Sequence, residues 1–212
     1  MTTDLLPGIL RMAGAACLLT LVACGNLLPK PPPLPSLHLL DAAPSAPPLV
    51  QGSNQASLRI NAPQAAAGFD SRRIIYLREP HQLSYFARHE WADTPARMVA
   101  PLLLAALDGG GQFRVVLGAN SAGSAEFSLD TVVIRLQQDF SQSPSQVRLT
   151  LRASLLDNAT RRVLASREFD ARVNAPSEDA DGGVKAANLA VQRVLKELVQ
   201  APEFAPPRLS LP

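Results

Sequence analysis

Residues 21–26 read Leu-Val-Ala-Cys-Gly-Asn, and the thiol of Cys24 is the group with the most specific chemistry in the chain. It is the only side chain of that stretch able to form a thioether to a lipid, and an acylated cysteine is a membrane attachment point. Other reactive groups are sparse. The histidines are His38, His81 and His89. They form no HxxxH or HExxH pair, and His89 and Glu90, adjacent on an expected strand, point to opposite faces. No metal site and no cofactor are therefore expected. Gly109-Gly110-Gly111 lacks the following Gly-Lys-Ser/Thr that would hold phosphates and magnesium, so it reads as a helix stop. Gly118 to Gly123 has the spacing GxxSxG, whereas a hydrolase nucleophile elbow needs GxSxG, so it reads as a loop. Asn158-Ala159-Thr160 matches a glycosylation acceptor and reads as a turn. No catalytic residue is assigned, and an enzyme is not expected.

Cys24 needs a leader to deliver it. Ala13 to Ala23 is an apolar run preceded by Arg11, as in a signal peptide, although Asp4 weakens the basic start. The run is too short for a transmembrane helix, which needs about 20 apolar residues. Leu21-Val22-Ala23-Cys24 resembles the bacterial lipobox, with cleavage between Ala23 and Cys24 and lipid on Cys24. An ordinary secretory signal with a coincidental cysteine is the plainer alternative. Cys17 would leave with residues 1–23, so the mature chain would hold neither a free thiol nor a disulfide. Residue 25 is Gly rather than Asp. By resemblance to the sorting rule of enteric bacteria, that favours the periplasmic face of the outer membrane over the inner one.

Behind the anchor, residues 24–55 hold 8 of the 19 prolines and read as a tether. Extended polyproline II rises about 3.1 Å per residue, so some 20–30 residues would reach roughly 60–90 Å. Pro29 to Pro35 also fits an SH3-type ligand, a reading disfavoured in the periplasm. Ser36 to Leu40 has the look of a short first strand. Net charge is only +2, from 20 Lys+Arg and 18 Asp+Glu, which argues against nucleic acid as a partner. Apolar residues make up 47% of the chain, enough for a real core.

The folded part is expected over residues 56–200. Strands are expected at Ser57–Asn61, Arg72–Arg78, Leu83–Trp91, Phe113–Leu117, Phe127–Phe140, Val147–Leu155 and Val163–Val173. Glu79 to Gln82 would turn the second strand into the third. Thr94 as N-cap and Pro95 at the first helical position start a helix whose core residues would be Met98, Leu102, Ala105 and Ala106. Pro101 would disturb that helix. The apolar phase of Phe127–Phe140 slips, and a bulge near Asp130 would explain it. Gly183–Gln200 is a second helix, with Val184, Ala187, Val191, Val194 and Leu198 at three-to-four spacing. Residues 201–212 read as a disordered tail. The fold class is α+β, a mainly antiparallel or mixed open sheet of about six to seven strands with two helices on one face. His89 to Pro95 is the most unusual local cluster. Trp91, the one tryptophan, either covers the end of the core or is an exposed partner anchor, with Tyr85 and His89 beside it.

Tyr76, Leu83, Tyr85, Trp91, Pro95, Leu103 and Leu107, closing on Gly111 and Phe113, form a pattern that resembles the ABC-type transport auxiliary lipoprotein family, with its paraquat-inducible protein C-like members. Leu151, Leu155, Phe169 and Val184 to Asn188 also fit, and the resemblance spans about residues 36–200. It implies a non-enzymatic envelope role. Such proteins accompany an inner-membrane protein with mammalian-cell-entry (MCE) domains, a permease and an ATPase that move phospholipids or other hydrophobic molecules. The lipoprotein would dock that machine at the outer membrane. A homo-oligomer is left open. The alternative class is an outer-membrane lipoprotein that regulates a peptidoglycan synthase, which also pairs a tether with a small α/β domain.

Overall fold

The computed structural model describes residues 33–41 and 56–206. The expected signal segment, Cys24 and most of the expected tether lie outside the described residues. Two compact units divide between Leu34 and Pro35, and the fold below is that of the second.

The alternation of Val147, Leu149, Leu151, Ala153 and Leu155 with polar neighbours dictates a strand buried on one face. That strand is β8 (Gln146–Asp157), and all five apolar residues are buried. Each buried valine or leucine among them stabilises by about 1.5–3 kcal/mol before entropy is counted. β8 lies antiparallel between β7 (Phe127–Asp139) and β9 (Arg162–Asn174). The other edge of β7 takes three short parallel partners in turn. These are β2 (Ser57–Ile60) at Phe127–Leu129, β3 (Gln64–Ala65) at Val132–Val133 and β4 (Arg73–Leu77) at Gln138–Asp139. β6 (Val115–Leu117) pairs parallel with β2. β5 (Leu83–Trp91) is antiparallel to β4, and β1 (Ser36–His38) is parallel to β5. The result is a mixed, open nine-stranded sheet, its longest pairings antiparallel.

Nine strands replace the expected six to seven. The additions are β1, which falls within the short strand candidate Ser36 to Leu40 although that stretch was assigned to the tether, and β3, too short for a period-two pattern to reveal. The expected bulge near Asp130 lies instead between Val133 and Arg135. Buried Thr131 and Gln138 carry the inward phase on either side, and polar residues at inward positions hid it. Val163 is exposed, because the β8–β9 register shifts between Leu155 and Leu156.

Helix α1 (Pro95–Gly109) starts at Thr94 as expected, with Pro95 at its first position. Thr94 caps through its backbone alone, its carbonyl accepting from Met98 N–H at 3.0 Å. The inward residues are Met98, Val99, Leu103, Ala106 and Leu107, while Ala105 is exposed and Leu102 half-buried. Pro101 lies inside the helix on its exposed side. Gly111, at φ 65°, supplies the left-handed residue that turns the chain after the helix.

Helix α2 (Ala180–Gln200) begins three residues earlier than expected, because Asp179 caps it. The Asp179 carboxylate accepts from Gly182 N–H at 2.7 Å and from the Ser177 hydroxyl at 2.7 Å. Those bonds hold its pKa below the usual carboxylate range. α2 packs on β8 and β9 and against α1, which covers β2, β3, β6 and β7. The chain stays ordered past residue 200. Pro202–Phe204 forms a 3₁₀ turn, η1, that places buried Phe204 against Phe169 at 5.6 Å between ring centres. The disordered reading of the tail is corrected for these residues, since an aromatic ring buried in the core overrides the proline-rich composition.

Candidate functional site

The elements from residues 36–41, β5 and the start of α2 meet at one end of the sheet. Strand β1 lies beside the end of β5 with Ser36 opposite His89, Leu37 opposite Glu90 and His38 opposite Trp91. Ala92 N–H donates to the His38 carbonyl at 2.7 Å. Beyond β1, Asn188 of α2 holds the chain from two sides. Its side-chain oxygen accepts from Asp41 N–H at 2.6 Å, and its amide nitrogen donates to the Leu39 carbonyl at 3.2 Å. These bonds fix a three-residue strand that would otherwise be marginal.

Residues two apart on a strand share a face. His89 therefore lies on the Trp91 side of β5, and His38 on β1 joins them. His38 Nε2 and His89 Nδ1 are 3.0 Å apart, hydrogen-bonded, one ring donating and the other accepting. The Asp181 carboxylate, from the first turn of α2, stands 3.9 Å from the same His38 nitrogen. The donor atoms of His38, His89 and Asp181 all lie within 4.8 Å of one another. Burial, and then the neighbouring His89, hold the His38 pKa below the ordinary imidazole value, and Asp181 opposes them. Two imidazoles and a carboxylate in contact can pass a proton or hold a cation.

The sequence placed His38 in the tether and so separated it from His89. The structure corrects that, because β1 pairing carries His38 onto the sheet. No spacing motif could have shown it, since His38 lies 51 residues from His89 and 143 from Asp181 in sequence. Proximity arises only once β1, β5 and α2 are assembled.

Trp91 is only 2% exposed. Its backbone N–H donates to the Arg72 carbonyl at 2.7 Å, and its backbone carbonyl accepts from Arg72 Nε at 3.0 Å. With Ile74, Leu136, Val147, Gly183 and Ala187 it surrounds a void of about 10 Å³, room for a single water. Trp91 covers the end of the core, and the exposed-anchor reading is corrected by its burial. Tyr85 differs. It is 37% exposed on the β4–β5 hairpin, with the Arg73 guanidinium 4.8 Å from its ring centre. The step Arg73–Ile75 on β4 faces the longer step Glu90–Tyr85 on β5, a bulge that redirects side chains there. Phe86 contacts Tyr76 at 4.7 Å, Phe140 at 6.3 Å and His89 at 6.2 Å between ring centres. Sequence reasoning missed this cluster because Phe140 lies at the far end of another strand.

A family model described as the ABC-type transport auxiliary lipoprotein component matches residues 38–199. The chain belongs to this family. Membership in the auxiliary lipoprotein family implies a membrane-anchored envelope location and association with a transporter system. The matched span runs from His38 in β1 through nearly all of α2. No helix among the described residues is long and apolar enough to cross a membrane. A crystal structure of a Xanthomonas campestris protein is similar at 24% identity, over 82% of this chain and 94% of that one, with a TM-score of 0.64. A hypothetical protein of Chlamydia trachomatis is similar at 10% identity, over 72% of this chain and 98% of that one, with a TM-score of 0.53. At these identities the likeness concerns the fold. No curated protein matches the chain.

Proposed function

We propose that this auxiliary lipoprotein docks an MCE-domain periplasmic protein at the outer membrane, in a transport system that moves phospholipids or other hydrophobic molecules. The observation that carries the reading is the family match across the whole β1-to-α2 domain. Lipid on Cys24, after cleavage behind Ala23, would supply the anchor, and residues 25–35 the start of the tether. The domain itself performs no reaction. Its role is to present a surface, and the β4–β5 hairpin is the part of that surface assigned here. Tyr85 is exposed there with Leu83 beside it in the strand, and Arg73 and Arg78 flank the hairpin's aromatic rings. Exposed tyrosine and arginine are residue types enriched where partners bind. His89 sits at the rim of the same hairpin.

The test is crosslinking in intact cells, followed by mild detergent extraction and identification of what co-purifies. An MCE-domain protein with its permease and ATPase is the expected result, reduced when Tyr85→Ala replaces the native chain. Recovery of a peptidoglycan synthase instead would overturn the reading and make the tether the functional element.

A further inference from the structure

We propose that His38, His89 and Asp181 bind a divalent transition-metal ion of the zinc class, which clamps the strand at the root of the tether to the domain. Two imidazole nitrogens and one carboxylate oxygen are a donor set suited to zinc, with a fourth position open to water. The donor atoms all lie within 4.8 Å of one another. His38 Nε2 is the shared atom, 3.0 Å from His89 Nδ1 and 3.9 Å from Asp181 Oδ1. A tetrahedral ion with bonds of about 2.0–2.1 Å separates its ligand atoms by about 3.3 Å. The His38–His89 gap must open slightly and the His38–Asp181 gap must close, both by less than an ångström. The third gap, His89 to Asp181, must close by no more than about 1.5 Å to reach the same ligand spacing.

Each ligand is held by different structure. His89 is set by β5 and by the edge of Phe86, His38 by β1 pairing, and Asp181 by the capped first turn of α2. Asn188, two turns further along α2, already ties Leu39 and Asp41 to the helix, so the ion would complete a clamp that hydrogen bonds begin. The two imidazoles are partly buried while Asp181 is 65% exposed, which leaves an entry path on the carboxylate side. The consequence is mechanical. Any pull transmitted along the tether reaches the domain at Ser36–His38, a strand of three residues, and a metal crosslink of β1, β5 and α2 would resist it.

The experiment uses the full-length lipidated chain in detergent, stripped with a chelator and titrated with Co²⁺ and then Zn²⁺. One Co²⁺ per chain with visible d–d absorption, displaced by Zn²⁺, and a thermal midpoint raised by Zn²⁺ are expected. His38→Gln and His89→Gln should each weaken binding by more than about 100-fold, the upper end of what outer-shell changes cost. Asp181→Asn should weaken it by at least about 10-fold. Because Asp181 is exposed, that variant keeps the fold and decides the matter should a histidine variant fail to fold. Absence of saturable binding, or Asp181→Asn binding as tightly as the native chain, would overturn the proposal.

Discussion

Trp91 shows how one side chain joins core and periphery. Its indole closes the end of the core over Ile74, Leu136 and Ala187, and its backbone is bonded to Arg72 on one side of β5. Truncation of a buried aromatic of this size leaves a cavity as well as lost transfer energy. Trp91→Ala is therefore expected to destabilise the domain by about 3–5 kcal/mol, measured as a shift in the urea midpoint. A loss below about 1 kcal/mol together with failed partner capture would instead mark an exposed anchor. Gly183 is a second position where one atom decides the packing. A Cβ there would run into the side-chain amide of buried Gln138, whose nitrogen donates to the Ser145 hydroxyl at 2.9 Å. The two residues explain much of what was hidden in the sequence. Gln138 is polar yet inward, and Gly183 is a helix-interior glycine whose reason lies on another element. His38 was hidden differently, since its composition matched the tether while its backbone belongs to the sheet.

At the scale of elements, strict alternation made β8 legible, and Leu83–Trp91 matched β5 residue for residue because the aromatic residues Tyr85, Phe86 and Trp91 favour a strand and a turn signal precedes it. The first helix was legible from its Thr94 cap and the second from its three-to-four spacing, with α1 rotated so that Leu103 and Leu107 face inward in place of Leu102 and Ala105. β3 was not, because a strand of two residues is stabilised by its neighbours and not by its own pattern, while β1 was legible only as the strand-like look of Ser36 to Leu40 inside the stretch read as a tether. The outer face of β8 and β9 is crossed by charge pairs. Arg148 Nε donates to Asp170 at 2.8 Å, Thr150 adds a hydroxyl bond at 2.5 Å, and Arg172 lies 3.7 Å away. Burial alone would raise the Asp170 pKa, but those bonds and the charges of Arg148 and Arg172 outweigh it and hold it low. A carboxylate with a lowered folded-state pKa adds stability above its unfolded value, near 3.9 for Asp, and loses it as the pH falls through the folded value. The stability difference between the native chain and Asp170→Asn should thus be full at neutral pH and shrink below about pH 4, read by denaturant unfolding at each pH. A difference that stays constant across that range would remove Asp170 from the stabilising network.

Over the whole molecule, the described residues form one open sheet covered by two helices, with β1 its first strand and η1 a last turn that seals the core with Phe204. β1, β6 and β9 each pair on one side only among the described residues, so the sheet keeps free edges to which an extended partner segment could add. Near-neutral charge and membership in the auxiliary lipoprotein family support the proposed docking role, for which the proposed lipid on Cys24 would be the anchor. Docking at the outer membrane is tested most directly by following the chain and its MCE-domain partner across density-separated membranes, with and without Cys24→Ser. The expected result is the native chain in the outer-membrane fractions, with crosslinked partner joining it there, and both lost in the serine variant. A native chain that travels with the inner membrane, or a partner that stays in the outer-membrane fractions without Cys24, would contradict it.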